Sequence, residues 1–470
     1  MRANRFILIE AVLPASIIAT ATDRPENIIV YDKGYRFDRD GWIYIHIEGE
    51  SYERGIQYGY LAAPELQAIL KNIRYQTYWD TGKDWQFFVD ASEKLFMTSI
   101  DQEYLQEIKG IAKGANVYGV NITWQDILAW NCYSELTDYW WPNEDDGGEI
   151  ASKGRCSAFI ATGNATSDGK IVIAQNTWGD FATGQFYNVI LDIKPSNGHR
   201  ILMQSVPGHL DSFTDFFVTD AGLVGTETTI SGFECYQVHK TPEFLRVRKA
   251  MQYADDMDQF ARIMLENNSG GYAGSWLLGD INNGEIMRFE IGLDYSNITR
   301  TRDGYFIGFN APIDPRIRNL ECSDTGYADI RHPNGARQVR LTQLMEENYG
   351  KIDVEVAKAI LADHYDVYLK KINPCSRTVE VHSELDALEF MGSSDDALPF
   401  SPDGTLDGKV ANATMARDMS FLARWGSSSG MPFNATEFLK EHIQWNYLKG
   451  GYLKDRPSWP WTTFRSGEGR

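Results

Sequence analysis

Basic residues are in short supply. Forty-five Lys and Arg stand against 65 Asp and Glu, a net charge of −20, and the acidic residues are spread along the chain rather than gathered in a tail. A surface built to hold phosphates carries the opposite sign, so nucleic acid is not an expected partner and the charge reads as solubility. Cysteines are few and odd in number: Cys132, Cys156, Cys235, Cys322 and Cys375. None forms a C-x-x-C pair, which argues against a zinc site or a thioredoxin-like motif, and at least one thiol has no partner within the chain. At most two disulfides fit, and only in an oxidising compartment. The chain has no H-E-x-x-H pair, no G-x-S-x-G elbow and no phosphate-binding glycine loop. Asp363-His364 lacks the neighbours of a metal site, so neither a metal nor a cofactor is expected. Internal repeats and low-complexity tracts are also missing.

Long apolar runs are confined to the start. Residues 6–21 follow Arg2 and Arg5 and end in Ala19-Thr20-Ala21. The run is too short to span a bilayer and fits a signal peptide over 1–21, although Glu10 interrupts it. A secreted, periplasmic or lumenal protein is the expectation, with a cytoplasmic one as the alternative. Six Asn-x-Ser/Thr sequons, at Asn121, Asn164, Asn267, Asn297, Asn412 and Asn434, matter only in a glycosylating pathway.

What is present is ample apolar and aromatic material, 43% and 13% of 470 residues, enough for one large core or two ordinary ones. Residues 27–50 read as β structure, with apolar runs at 28–30 and 42–45. From Ser51 the period becomes helical through Ile56, Leu61, Leu66, Leu70 and Ile73, with Pro64 suited to a first turn. Leu105, Ile108, Ala112 and Ala115 mark a helix over 101–117, and Thr123 with Asp126 predicts a capped helix through Trp130. Residues 51–136 are thus mostly helical. Residues 137–155, with a proline, an acidic cluster and a glycine pair, read as an exposed loop and the best candidate boundary.

Beyond the loop the chain turns β-rich. Strands are predicted at 156–161, 171–178, 187–193, 200–205, 216–219, 222–230, 275–281, 285–291 and 305–309, with Asp-Gly and Asn-Asn-Gly turns between several of them. Helices are predicted at 243–267, 335–347, 353–371 and 411–423. Helices, then hairpins, then helices favour an α+β layered sheet fold over alternating βαβ units.

The stretch 154–181 draws the chemistry together. Two apolar strands flank a turn carrying Asn164, Ser167, Asp168 and Gly169, and Cys156 opens the first strand directly after the polar loop. A thiolate needs a nearby base. Cys156 could use a distant histidine, as papain-like enzymes do. Alternatively the peptide before it is cut, and the new α-amine, of ordinary pKa about 7.7–8.0, serves its own side chain. A cysteine that opens a strand after a loop suits the second route, although free cysteine is more often simply a buried core residue.

Cys156-Ser157-Ala158 followed by Gln-Asn-Thr-Trp at 175–178 resembles the Cys-Ser-Ala and His-Asn-Thr-Trp pair of the phospholipase B-like proteins. Gly222-Leu-Val with Glu227-Thr-Thr, Asn268-Ser269-Gly270 with Ser275-Trp276, and Phe309-Asn310-Ala311-Pro312 resemble later segments of the same family. More widely the chain is similar to the penicillin acyltransferase-type peptidase family C45, where Tyr52 to Gly59 looks like an opening helix. The resemblance runs from about residue 40 almost to the C-terminus. It implies an N-terminal nucleophile (Ntn) hydrolase, an αββα four-layer sandwich of two antiparallel sheets. Residues 22–155 and 156–470 would form one domain, cut between Arg155 and Cys156, with the fragments held non-covalently. Cys156 is the implied nucleophile, Asn310 helps bind the oxyanion, Trp178 lies beside the nucleophile, and Arg337 (with Arg340 nearly as good a match) is the downstream arginine. Gln175, Thr228 and Trp276 fall in the implied substrate pocket. Gln175 stands where the pattern has histidine, and glutamine hydrogen-bonds but carries no proton at neutral pH.

The expected reaction is hydrolysis or transfer of an acyl group from an amide or ester through a thioester on Cys156. The substrate is a small-molecule or lipid acyl compound. The alternatives are a phospholipase B-like ester hydrolase, and an inactive scaffold whose 13 Trp and 24 Tyr line a ligand-binding cleft. Homo-oligomerisation is left open.

Overall fold

The computed structural model describes residues 27–144, 156–389 and 398–469. Two large sheets dominate. The first has ten strands in the spatial order Ile29–Tyr31, Gly34–Arg39, Trp42–Gly49, Val189–Pro195, Ile201–Ser205, Phe216–Thr219, Leu223–Thr229, Gly274–Asp280, Glu285–Ile291 and Ser296–Thr301. Every pairing is antiparallel except Trp42–Gly49 with Val189–Pro195, where Ile43 faces Val189 in parallel. A parallel pair needs a long crossover. Here it is made by the N-terminal helices and the first hairpin of the second sheet, which itself runs Gly304–Gly308, Ser157–Gly163, Gly169–Asp180, Asp403–Asn412, Ser420–Trp425 and Thr462–Arg465.

Alternation along Ser157–Gly163 shows how the layers stack. Ala158 and Ile160 join the large core between the sheets. Phe159 and Ala161 face outward, beneath Leu341, Leu344, Met345, Ile360 and Leu361 of the helices Pro333–Glu347 and Val354–Leu361. Side chains two apart share a face and neighbours oppose, so one strand feeds two cores. The sheets meet closely enough that a methyl on Gly279 would lie 3.1 Å from Ile160 and Ile171. On the far side of the first sheet, Phe260 of Met257–Leu265 packs on Trp276 and Phe217. The result is the expected α+β arrangement of helices, sheet, sheet and helices.

Local signals fared well where capping and periodicity agreed. Thr123 and Asp126 form a reciprocal capping box on Trp124–Asn131. Helices Ser51–Leu61 and Gln102–Tyr118 cross at Gly55, Gly59, Gly110 and Gly114, where an added methyl would come within 2.4 Å of a carbonyl oxygen of the opposite helix.

Three expectations are corrected. Residues 411–423 are not a helix: the strand Asp403–Asn412 gives way to a short helix, Ala413–Arg417, and then to the strand Ser420–Trp425. The apolar run there is too short for its period to decide. The helix foreseen at 353–371 ends at Leu361, and a small hairpin, Tyr365–Asp366 with Lys371–Ile372, follows. The segment 137–155 is not loop throughout: 135–143 is helical, with Tyr139, Trp140 and Trp141 buried, because apolar burial outweighs the loop-like composition. The acidic part of that segment and the leader 1–21 lie outside the described residues.

Candidate active site

Cys156 stands at the head of Ser157–Gly163, 1% exposed, with φ at +82°. A non-glycine residue in that region costs of order 1–3 kcal/mol and persists only where surrounding contacts impose it. Here they do. The Cys156 carbonyl accepts a hydrogen bond from Arg337 Nη1 at 2.9 Å, and the Trp178 backbone hydrogen-bonds toward the thiol. Asn310 follows the strand Gly304–Gly308, in which Gly308 faces Ala158. Asn310 lies two residues beyond Gly308 and Cys156 two residues before Ala158, at the same end of this strand pair. Asn310 also has positive φ, +68°. Its Nδ2 donates to the Thr229 carbonyl at 2.7 Å, and its own carbonyl accepts from Ser231 N and Asn334 Nδ2.

Arg337 is wholly buried with no carboxylate beside it. Nη1 also donates to Ser157 Oγ at 3.2 Å and Nη2 to Asn334 Oδ1 at 2.7 Å, and the guanidinium stands 5.2 Å from the Trp178 ring centroid. Burial pushes its pKa down to about 9, opposed only by the Cys156 sulfur. Burial raises the thiol well above its usual value, and Lys409 pulls it back in part. Arg340, the rival arginine, is instead paired to Asp363 at 2.7 Å.

Lys409, Asn334, Glu227 and Asp215 complete the surroundings, and sequence reasoning did not find them. Lys409 is buried and bridges Asp407 at 2.7 Å, Gln204 at 2.5 Å and Thr177. Its signal was a charge alternating with another, Asp407, in a strand that is otherwise buried. Burial and the charge of Asp211 push Asp215 up to about 7, and Glu227 is raised further by burial and Asp215. Both carboxyls add to the burial that raises the thiol pKa.

The remaining expected residues divide. Gln175 is buried two residues before Thr177, and its Nε2 donates to the Glu227 carbonyl at 2.9 Å, a fixed contact with no proton to move. Thr228 sits under Gly308, where an added methyl would come within 2.6 Å of its Cγ2, which ties it to the sheet that Cys156 opens onto. Trp276 is buried in the sheet–helix core against Phe260 and Phe217, on the opposite face of its strand from Ser275. Arg155 lies outside the described residues. A cavity of about 490 Å³ adjoins the site through Trp178, with Trp141, Tyr187, Trp445, Asp138 and Asp180 among its walls. Trp178 therefore links thiol, guanidinium and cavity. A larger open recess at Arg74, Trp85 and Asp126 has none of these neighbours. His364, without partners in sequence, meets Glu380 and His382 in the fold, 16 and 18 residues on.

Two facing sheets with helices outside, and a buried cysteine opening a central strand beside an arginine and an asparagine, define an α+β sandwich with a nucleophile-like centre. The chain belongs to the phospholipase B family, whose model matches residues 44–464. It is 29% identical over 325 residues to a phospholipase B of Crotalus adamanteus, covering 62% of this chain and 55% of that one. It is 28% identical over 310 residues to human phospholipase B-like 1, covering 59% and 53%. An uncharacterized protein of Archaeoglobus fulgidus is 24% identical over 373 residues, covering 70% and 59%. The chain thus spans little more than half the length of these relatives. Among solved structures, penicillin V acylase from Agrobacterium tumefaciens aligns with 58% of this chain and 83% of its own at 12% identity and a TM-score of 0.34, a likeness too slight to carry an argument.

Proposed function

We propose that the protein is a self-processing cysteine hydrolase that cleaves acyl groups from amides or esters through a thioester on Cys156. The observation that carries this reading is the buried cysteine in a strained φ, its carbonyl held by a buried arginine that has no carboxylate partner. In processing, the sulfur attacks the Arg155 carbonyl carbon. The bond to the Cys156 nitrogen breaks as the thiol proton passes to that nitrogen, and water hydrolyses the thioester to a carboxylate. Relief of the +82° φ favours the cut. In turnover the freed α-amine takes the thiol proton, the thiolate attacks the substrate carbonyl, and the leaving amine or alcohol departs with that proton. Water then releases the acid.

Several features support these roles. Burial raises the pKa of the uncut thiol, so toward a bound substrate it stays protonated until the freed amine takes its proton. Gln175 cannot be that base. Asn310, at the same end of the strand pair as Cys156, supplies a side-chain donor of the kind worth about 2.7–4 kcal/mol to an oxyanion. The guanidinium of Arg337 offers charge to the same transient anion. The names of the relatives favour an ester of a lipid, and the cavity at Trp178 has room for an acyl chain or its leaving group. Export of the mature chain belongs to the same proposal; among the described residues no helix is long and apolar enough to cross a membrane.

Intact-mass measurement of the expressed protein tests this. Fragments ending at Arg155 and beginning at Cys156 are expected, and Cys156→Ala is expected to stay whole and to lose turnover of a matched amide and ester panel by about 10⁴-fold or more. A single uncut chain with full activity would sink the amine-as-base mechanism.

A further inference from the structure

The cluster of His364, Glu380 and His382 is remote in sequence from the nucleophile and unused by the chemistry above. His364 precedes the small hairpin Tyr365–Asp366/Lys371–Ile372, and Glu380 and His382 lie on the segment that returns from it. A backbone bond from Glu380 N to the Asp363 carbonyl ties the two strands of chain, and one from His382 N to the Cys375 carbonyl folds the returning segment on itself. Three ligand-type atoms converge as a result. The Nε2 atoms of His364 and His382 face each other at 3.2 Å, and Glu380 Oε2 lies 2.6 Å from the first and 3.7 Å from the second.

Two neutral imidazole nitrogens and one carboxylate oxygen are a donor set for a borderline divalent cation of the zinc type. Ligands held about 2.0–2.1 Å from one tetrahedral ion stand roughly 3.3 Å apart, which is the spacing seen here on average. The supporting contacts point the same way. His382 Nδ1 is 2.8 Å from Glu384 Oε1, which keeps the proton on that nitrogen and turns the Nε2 lone pair into the cluster. Glu380 Oε1 accepts from Ser429 N at 3.0 Å, which fixes the carboxylate plane. Glu380 is fully buried, and its Oε2 faces the Nε2 atoms of both histidines. A buried carboxylate is costly unless its lone pairs are occupied, and a cation between the three atoms would occupy them together with those of both imidazoles. Asp363, beside His364 in sequence, is not a ligand, because Arg340 holds both of its oxygens.

We propose that His364, Glu380 and His382 bind one divalent cation of the zinc type, leaving a position open for water. The site would fasten the 375–386 segment to the hairpin. That segment borders the candidate active site: Val381 exchanges hydrogen bonds with Thr405, and Thr405 is the register partner of Trp178. The proposal stands whether or not Cys156 is a nucleophile.

The full-length protein, stripped with a chelator and titrated with Co²⁺ and separately with Zn²⁺, tests the site. One equivalent of Co²⁺ with a tetrahedral visible spectrum is expected, displaced by Zn²⁺, together with a higher Tm for the loaded protein. His364→Gln, at the most exposed of the three ligands, and His382→Ala are expected to abolish the spectrum. Glu384→Gln is expected to weaken binding about 10- to 100-fold while leaving it tetrahedral. Circular dichroism of each variant checks that it has folded. Failure of the folded wild-type protein to take up either ion, or uptake that His364→Gln leaves unchanged, would overturn the assignment.

Discussion

Buried arginines occur in two contrasting settings in this molecule. Arg54 and Arg248 share Glu107 where the N-terminal helices meet the first sheet: Arg54 Nη2 lies 2.7 Å from one carboxylate oxygen and Arg248 Nη1 3.3 Å from the other. Burial alone would raise the Glu107 carboxyl, but the charges of Arg248 and Arg54 outweigh it and hold the group below its usual range. Arg337 is as deeply buried but has only neutral acceptors: two oxygens of the Cys156–Ser157 pair and one of Asn334. The first cluster is complete in the resting state. The second holds an uncompensated positive charge next to the thiol. A cation kept without a partner contributes little to folding and is placed to favour an anion that forms transiently, which is the basis of the role proposed for Arg337.

Three experiments can break or sharpen that contrast. The largest expected effect is on the paired cluster. Glu107→Gln removes the carboxylate that Arg248 and Arg54 share and leaves Arg54 only the more distant Glu103 at 3.5 Å, and a loss of about 3–5 kcal/mol in unfolding free energy is expected from denaturant titration. A loss below about 1 kcal/mol would remove the distinction between the two settings.

Arg337→Met should behave in the opposite sense. Turnover is expected to fall about 10²- to 10³-fold, while stability falls by no more than about 1–3 kcal/mol for the acceptors left unpaired. If Arg337→Met unfolds as readily as Glu107→Gln with activity intact in the folded fraction, Arg337 is structural.

The smallest effect appears only on acidification. Asp192 belongs with the paired kind: it meets His46 at 2.7 Å, Arg200 at 2.6 Å and Tyr44, and receives Ser466 Oγ and Gly467 N from the C-terminal end of the chain. Burial would raise its pKa, yet the hydrogen bonds and charges of His46 and Arg200 hold it well below the carboxylate range. A depressed folded pKa gives stability that is present above the unfolded value of about 3.9 and lost as pH falls below it. Unfolding free energy of the wild type should therefore drop below pH 4 by up to about 1.4 kcal/mol per pH unit from this group, and Asp192→Asn should lack that component. Identical acid profiles would show that Asp192 is not part of a linked ion cluster.

Much of the scaffold was legible before the fold was known, because the relevant information is local. The hairpin of Ser157–Gly163 with Gly169–Asp180 follows from two apolar runs around a turn, and the capped helix at Trp124–Asn131 from Thr123 and Asp126. The misreadings fall where local patterns compete with burial. Trp140 and Trp141 sit in a segment of loop-like composition yet pack into the core, and the short run at 411–423 fits either period.

Cys156 at the head of its strand is a fact of sequence: a residue type, a loop before it and an apolar run after it. Its surroundings are not. Arg337 is 181 residues away along the chain, and Asn310, Lys409, Glu227 and Asp215 arrive from four other segments. Periodicity tells a strand which face to bury, but which strand becomes its neighbour depends on sheet order and register, settled only when the whole core packs. The same holds for His364, Glu380 and His382, whose nitrogens and oxygen converge through the closing of a hairpin that no local pattern announced. The sequence by itself determined where a nucleophile could stand and which local elements carry it. The tertiary structure alone decided which charges stand beside it and which of them are left without a partner.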